Sequence, residues 1–297
     1  MPPTHHTPVG AITLAWESFG DPADPTLLLV PGTAAQMLFW GEPLCAGLAA
    51  RGLHVVRMDP RDTGLSTHLD RLETWPAWRS LIRYAVGRPV REAYTIEDMA
   101  RDVAGLVTAN RWGPAFVAGW SMGSVVVQAL AVARPALVRK LVLFGAPTYR
   151  RGVGQPGARD LLHILRPPDP PDPAAAGAIA RRVLQRQAGP HYRLSPPELE
   201  ALIAGLRERP TPEPGARWRQ LATGLAFGDV TRTSVHVRQP VLLVHGTADT
   251  ISPIANSELL LRTLSDARLE RIPGMGHLIP DALAPDLTRV VGDFLLE

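Results

Sequence analysis

The chain is most informative first in what it has little of. Among its 297 residues there is one cysteine, Cys45. A single thiol excludes an intramolecular disulfide and any cysteine-based metal cluster. Its place in a predicted early helix suits a small core filler. Lysine is nearly missing. Lys140 is the sole example, so the basic charge is almost all arginine, which does not deprotonate in the working range. The net charge of +3 is small, and no basic run is interleaved with aromatics. That excludes a nucleic-acid footprint, and the pairs Arg150-Arg151 and Arg181-Arg182 read as solvated faces. No 18 successive apolar residues occur, which excludes a membrane-spanning helix. Residues 1–10 lack a basic region followed by an apolar stretch, so no signal peptide is read and a cytoplasmic protein is expected.

What is present is an ordinary globular balance, 45% hydrophobic and 20% charged residues. The chain is long enough for one domain with a sizeable core plus an insertion. Apolar runs bounded by turn residues mark strands at Ile12 to Trp16, Thr26 to Val30, Val55 to Met58, Ala115 to Ala118, Val138 to Phe144, Val241 to Val244 and Leu269 to Ile272. Helical patterns fall between them, at Leu44 to Arg51, Thr95 to Asn110 and Ser124 to Arg134. A weaker amphipathic piece lies around Trp75 to Tyr84. Thr95 followed by Glu97 and Asp98 is a helix start. Strands alternating with helices imply a mostly parallel sheet with helices on both faces.

The alternation stops between Pro147 and about Gln239. Pro167 to Pro173 reads as an extended, stiff loop. Helices are expected at Ala174 to Gln187, Pro196 to Arg209 and Pro214 to Ala226.

One pentapeptide carries chemistry. Gly119-Trp120-Ser121-Met122-Gly123 reads G-x-S-x-G, with a strand before it and a helix after it. Such a serine sits on a sharp strand-to-helix turn, and small glycines let the neighbouring elements approach. By itself the pattern is weak; its context gives it force.

A serine hydroxyl needs a base, and the base needs an orienting acid. In strand–turn–helix sites of this kind the chain order is serine, acid, histidine. Asp249 lies on the loop after Val241 to Val244, and His277 on the Gly-punctuated loop after Leu269 to Ile272. Both positions are strand ends, where open α/β sheets place their sites. Asp249 or Ser252 also suits the cap of a helix beginning near Pro253. The other eight histidines fit less well. His5 and His6 fall in a polar tail, His54 opens a strand, and His68 precedes the serine. His163, His191 and His236 lie in the Pro-rich middle, and His245 belongs to a strand end.

Acyl transfer also needs donors for an oxyanion. The backbone N–H of Met122 is one candidate, and that of Thr33, in Pro31-Gly32-Thr33-Ala34 after an early strand, is the other. The charged loop Asp59-Pro60-Arg61-Asp62-Thr63-Gly64 reads as scaffold held by internal hydrogen bonds, not as reacting groups.

Taken together, these motifs resemble those of α/β-hydrolase-fold serine hydrolases, over nearly the whole chain except residues 147 to 236. Three stretches are similar to those of aclacinomycin methylesterase-like esterases: Phe19 to Pro25, Gly52 to Arg57 continuing through Arg61 to Gly64, and Ile272 to His277. The resemblance implies an α/β-hydrolase core at 1–146 and 237–297, with a helical lid at 147–236 inserted after the sixth strand. It implies Ser121 as nucleophile, Asp249 as acid, His277 as base, and the amides of Thr33 and Met122 as the oxyanion hole. Met37, Trp120 and Leu278 are the expected substrate-pocket residues, with Met122 and Leu184 as further candidates and Leu184 better read as core.

The implied activity is hydrolysis of small to medium apolar carboxylic esters through an acyl-enzyme. The expected partner is a small-molecule ester, and neither metal nor organic cofactor is required. Pro31-Gly32 stands where many members have His-Gly, which matters little if backbone amides do the work. Ser121 disfavours dehalogenases and epoxide hydrolases, which have Asp there. A proline iminopeptidase-type peptidase usually has Gly-Gly-Pro-Gly in the oxyanion loop, which this chain lacks. The long middle segment disfavours perhydrolases, whose lids are minimal. An acyltransferase and a small-molecule receptor built on the same fold stay open. Substrate identity and oligomeric state are not legible.

Overall fold

The computed structural model describes residues 2–164, 172–210 and 214–297. Its centre is an eight-stranded sheet: β1 (His5–Val9), β2 (Ile12–Phe19), β3 (Thr26–Val30), β4 (His54–Met58), β5 (Ala115–Trp120), β6 (Val138–Phe144), β7 (Val241–Gly246) and β8 (Ala267–Ile272). The order is β1-β2-β4-β3-β5-β6-β7-β8. The first two pairings, β1 with β2 and β2 with β4, are antiparallel, and every later pairing is parallel. This is the expected α/β-hydrolase fold.

Two neighbouring strands decide where the site falls. From β3 the chain next adds β4 on one side, and later β5 on the other, with Val30 opposite Gly119 in parallel register. The direction of strand addition reverses there, and the loops leaving β3 and β5 part to open a crevice at the carboxyl edge. β3, β5 and β7 are buried at every residue, because parallel strands covered on both faces are apolar on both. β8 lies at the sheet's edge and carries Arg268, Glu270 and Arg271 on partly exposed positions, charges that blunt an edge against stray pairing.

The core helices are α1 (Glu42–Ala49), α2 (Ala77–Ala85), α3 (Ile96–Ala109), α4 (Met122–Ala133), α10 (Ala255–Thr263) and α11 (Ala284–Leu296). Thr95 caps α3 through a full capping box with Asp98. The sheet splits two apolar clusters. Leu28 and Val30 of β3 face Val103, Leu106, Val125 and Leu130. Leu27 and Leu29 face Leu44, Leu48, Leu287 and Val291. Strand alternation sends successive side chains to opposite layers.

Between β6 and β7 the described residues form five helices: α5 (Ala158–Ile164), α6 (Pro173–Ala188), α7 (Pro196–Arg207), α8 (Pro214–Phe227) and α9 (Thr231–Ser234). Three were expected within a few residues of these bounds; α5 and α9 were not. The expected extended loop from Pro167 lies outside the described residues as far as residue 171. α6 and α7 contribute Leu184, Leu199 and Ile203 to the cluster that holds Trp120 and Leu278. Leu184 is thus core, as expected. α8 packs Ala222 and Leu225 against Val90, with Leu81 and Tyr84 alongside.

One correction concerns the start of the chain. His5 and His6 are not a polar tail. They open β1, where His5 stacks on Trp16 with ring centroids 4.4 Å apart. Among the described residues no helix is long and apolar enough to cross a membrane.

Candidate active site

Ser121 occupies the turn between β5 and α4. Its φ of 53° and ψ of −124° lie where side-chain-bearing residues rarely go, a conformation that costs on the order of 1–3 kcal/mol unless its surroundings enforce it. Here they do. Its N–H donates to Phe144 O at the end of β6 (2.8 Å), and its carbonyl accepts from the N–H and the hydroxyl of Ser124 at 2.9 and 2.6 Å. The side chain stays half-buried.

The loop after β3 lies against it. A methyl added to Gly32 would stand 2.9 Å from Ser121 Cβ and 3.5 Å from Oγ. Among the described residues no acceptor takes the Thr33 N–H. Met122 is the first residue of α4, where an N–H has no partner inside the helix. The two residues touch, Thr33 Oγ1 lying 3.5 Å from Met122 Sδ. Tyr149 lies beside the Thr33 side chain, and burial pushes that phenol's pKa up.

Asp249 and His277 are joined. His277 Nδ1 donates to Asp249 Oδ2 at 2.6 Å. A carboxylate only accepts, so the proton sits on Nδ1 and Nε2 keeps a free lone pair. Asp249 Oδ1 accepts from the N–H groups of Ile251 and Ser252 at 2.9 and 2.8 Å. The turn-forming role anticipated for this Asp and its pairing with His therefore coexist on different oxygens. Burial alone would raise the Asp249 carboxyl. The neighbouring His277, which donates to it, and His245 outweigh that and hold the group well below the usual carboxylate range.

The two loops are themselves laced together. Ala248 N–H donates to Met275 O (2.9 Å), Thr247 N–H to Ile272 O (3.0 Å), and Gly274 N–H to Thr247 Oγ1 (2.9 Å).

Trp120 links this pair to the serine's turn. Its Nε1–H donates to His277 O at 2.8 Å, and its ring lies 5.3 Å from the imidazole. Gly145, at φ +52 just past β6, leaves room beneath. A methyl there would stand 3.2 Å from His277 Nδ1 and 3.5 Å from Asp249 Oδ2. The imidazole's own hydrogen bond goes to Asp249, and among the described residues none joins it to Ser121 Oγ. Met37, Trp120 and Leu278 are all buried.

Sequence reasoning missed three contributors. His245 is fully buried in β7 and approaches Asp249 Oδ2 at 3.4 Å. Its Nε2 donates to Ser252 O and its Nδ1 accepts from Ser257 Oγ, each at 2.6 Å. An i,i+4 His–Asp spacing across a strand end is the one trace of it in the sequence. Tyr149 and Gln220 reach the β3 loop from far along the chain and left no sequence signal.

The charged loop after β4 is scaffold, as expected, and it also reaches outward. Asp59 Oδ1 accepts from Met37 N–H (2.6 Å) and Oδ2 from Leu65 N–H (2.9 Å). Arg209, just past α7, donates to Asp59 Oδ2 (2.9 Å) and Glu17 Oε1 (2.7 Å). Arg219 on α8 makes two 2.9 Å bonds to Asp62. Arg61 pairs with Asp102. Among the described residues no group of three or more His, Cys, Asp or Glu side chains is arranged to hold a metal ion.

Comparison with known proteins agrees with this geometry. Rhodomycin D methylesterase DauP of Streptomyces sp. (strain C5) is 25% identical over 316 residues, covering 97% of each chain. Serine hydrolase BPHL of Mus musculus is 25% identical over 288 residues, covering 97% of this chain and 84% of its own. The enol-lactonase of Burkholderia xenovorans LB400 superposes with a TM-score of 0.71 at 21% identity, covering 99% of this chain and 100% of that one. A family description, serine aminopeptidase S33, matches residues 21–281. With its strained serine after β5, its paired Asp and His after β7 and β8, and most of its length matched, the chain belongs to this α/β-hydrolase family of serine hydrolases.

Proposed function

We propose that the protein is a carboxylic-ester hydrolase that works through Ser121, His277 and Asp249. The observation that carries this reading is the 2.6 Å His277–Asp249 hydrogen bond, beside a serine held at positive φ. His277 Nε2 takes the Ser121 proton as Oγ attacks the ester carbonyl. Asp249 fixes the tautomer and stabilises the imidazolium. The N–H groups of Thr33 and Met122 receive the oxyanion. The alcohol leaves with the proton from His277, and water activated by the same imidazole releases the acid.

The substrate class is an apolar ester of small to medium size. Two supports are the methylesterase named among the relatives and the apolar surroundings of Met37, Trp120 and Leu278, which we assign to the pocket wall. Residues 147–236 act as the lid, since α6 and α7 pack onto the cluster that holds Trp120 and Leu278. The test is turnover of a p-nitrophenyl ester series together with fluorophosphonate labelling. Repeated turnover and labelling, both abolished in Ser121→Ala, support the hydrolase. Stoichiometric labelling without turnover points instead to a small-molecule receptor.

A further inference from the structure

The N–H that follows the Thr33 donor is held by a residue far along the chain. Ala34 sits at φ +54, in the left-handed region that favours glycine. Its amide donates to Gln220 Oε1 at 2.6 Å. Gln220 lies on α8, 186 residues later, and is 0% exposed. Its Nε2 donates to Arg61 O (2.7 Å) and to Thr63 Oγ1 (2.8 Å). The amide has one orientation that fits. Ala34 N–H can only donate and the Arg61 carbonyl can only accept, so Oε1 and Nε2 cannot exchange places. Three residues on, the same loop is fixed again, where Met37 N–H donates to Asp59.

We infer that Gln220 is a positioning residue for the oxyanion hole. It accepts the Ala34 N–H and thereby holds Ala34 at its unfavourable φ. The Ala34 backbone is continuous with Thr33, so this aims the Thr33 N–H at the carbonyl oxygen of the substrate. Without that acceptor the part-buried Ala34 N–H loses the bond that holds it, and the strained residue has no reason to stay. The loop then relaxes and the donor turns away. Because Gln220 belongs to the proposed lid, the hole is complete only while α8 is seated. The inference rests on the serine-hydrolase reading and on Thr33 as a donor.

The experiment compares Gln220→Met, which keeps length and removes every hydrogen bond, with Gln220→Glu, which keeps the acceptor for Ala34. Each is measured for kcat and KM on a p-nitrophenyl ester and for affinity toward an apolar trifluoromethyl ketone, whose hemiketal oxygen mimics the oxyanion. In Gln220→Met, kcat should fall about 10- to 100-fold, KM should move less than about threefold, and ketone affinity should fall in proportion to kcat/KM. Gln220→Glu keeps the acceptor but sets a carboxylate oxygen against the Arg61 carbonyl, so it should recover part of the kcat. A Gln220→Met enzyme with kcat and ketone affinity both within about threefold of wild type overturns the inference, as does a loss confined to KM. If Gln220→Met does not fold, Thr63→Val carries the same test. It removes one Nε2 partner and should lower kcat about fivefold, and an unchanged kcat overturns the inference. A wild-type protein that neither hydrolyses esters nor reacts with fluorophosphonate sinks the underlying hydrolase reading, whereas an active wild type with an unaffected Gln220→Met sinks this inference alone.

Discussion

The two sides of the candidate site are held by different forces. On the sheet side, Ser121, Asp249 and His277 each follow a strand by one to five residues, and β5 and β7 are buried at every position. Apolar burial and backbone ladders fix those strand ends, and both tolerate change in any one polar side chain. On the inserted side apolar contacts are joined by ionic and directional ones. Arg209 bridges Glu17 and Asp59, Arg219 grips Asp62, and Gln220 takes Ala34. A buried ion pair adds little net stability over an apolar contact, yet breaking it leaves an unpaired charge behind. The sheet side should therefore lose chemistry without losing structure, and the ion pairs of the inserted side should lose structure first, with Gln220 the one attachment there that reaches the chemistry.

The largest expected effect tests the first half. Ser121→Ala, His277→Ala or Asp249→Asn should each lower kcat on a p-nitrophenyl ester by about 10⁴-fold or more. Thermal melts should stay within about 5 °C of wild type, because no buried partner is orphaned beyond the site. A variant that keeps more than about a hundredth of the wild-type rate would remove its residue from the assigned role.

Arg219→Met tests the second half. It strands the buried Asp62 carboxylate and should cost about 3–5 kcal/mol in urea unfolding. Adding Asp62→Asn to it should return part of that loss. A cost below about 1 kcal/mol would mean that apolar packing, not the ion pair, holds α8 down.

A smaller effect concerns the seam between α7 and the segment after His277. Asp281 N–H donates to Glu198 Oε1 at 3.0 Å. Burial pushes the Asp281 carboxyl up to about 6, helped by the charges of Glu198 and Glu42. The folded state therefore binds this proton more tightly than the unfolded chain does. The resulting stability is fully present below about pH 3.9 and is lost as pH rises through about 6. Asp281→Asn removes that dependence. It should gain on wild type at pH 7 but not at pH 4, by no more than about 1 kcal/mol given the partial exposure of the group. Paired melts at the two pH values decide it, and equal differences would end the assignment.

The least effect should come from Cys45, whose thiol burial pushes up to about 12. Iodoacetamide at pH 8 should leave it untouched until urea unfolds the whole chain. It packs beneath the core near Trp40. Its alkylation should therefore follow global unfolding and not displacement of the inserted helices.

The same division explains what could be read from sequence. β3, β5 and β7 were legible because a strand buried on both faces writes a continuous apolar run, as β6 does over its last four residues. The positions of Ser121 and Asp249 stand out because each lies a short distance past such a run, and that of His277 because its loop is punctuated by glycine. α7 was expected from Pro196 onward, and the structure adds its cap, Ser195 paired with Glu198 in a capping box. β1 was not legible. His5-His6-Thr7-Pro8-Val9 is polar, contains proline, and is a strand only because β2 pairs with it and Trp16 offers a ring to His5. The partnership of Gln220 with Ala34, or of Arg219 with Asp62, spans more than 150 residues. Local periodicity carries no record of such a meeting, and an ionic contact can be made from many places on a surface.

One pair of backbone bonds bears on how proteins of this build acquire new substrates. The loop that bears His277 is pinned by the chain leaving α6: Gly276 N–H donates to Ala188 O (3.0 Å) and Leu278 N–H to Gln187 O (2.9 Å). These carbonyls belong to the piece that would be exchanged wholesale to build a chimera with a new specificity. A transplanted segment must present two acceptors at the same places, whatever its side chains. A truncated protein lacking it should keep its serine while its imidazole drifts. Grafts that begin beyond residue 189 avoid the problem and leave the rest of the roof free to vary.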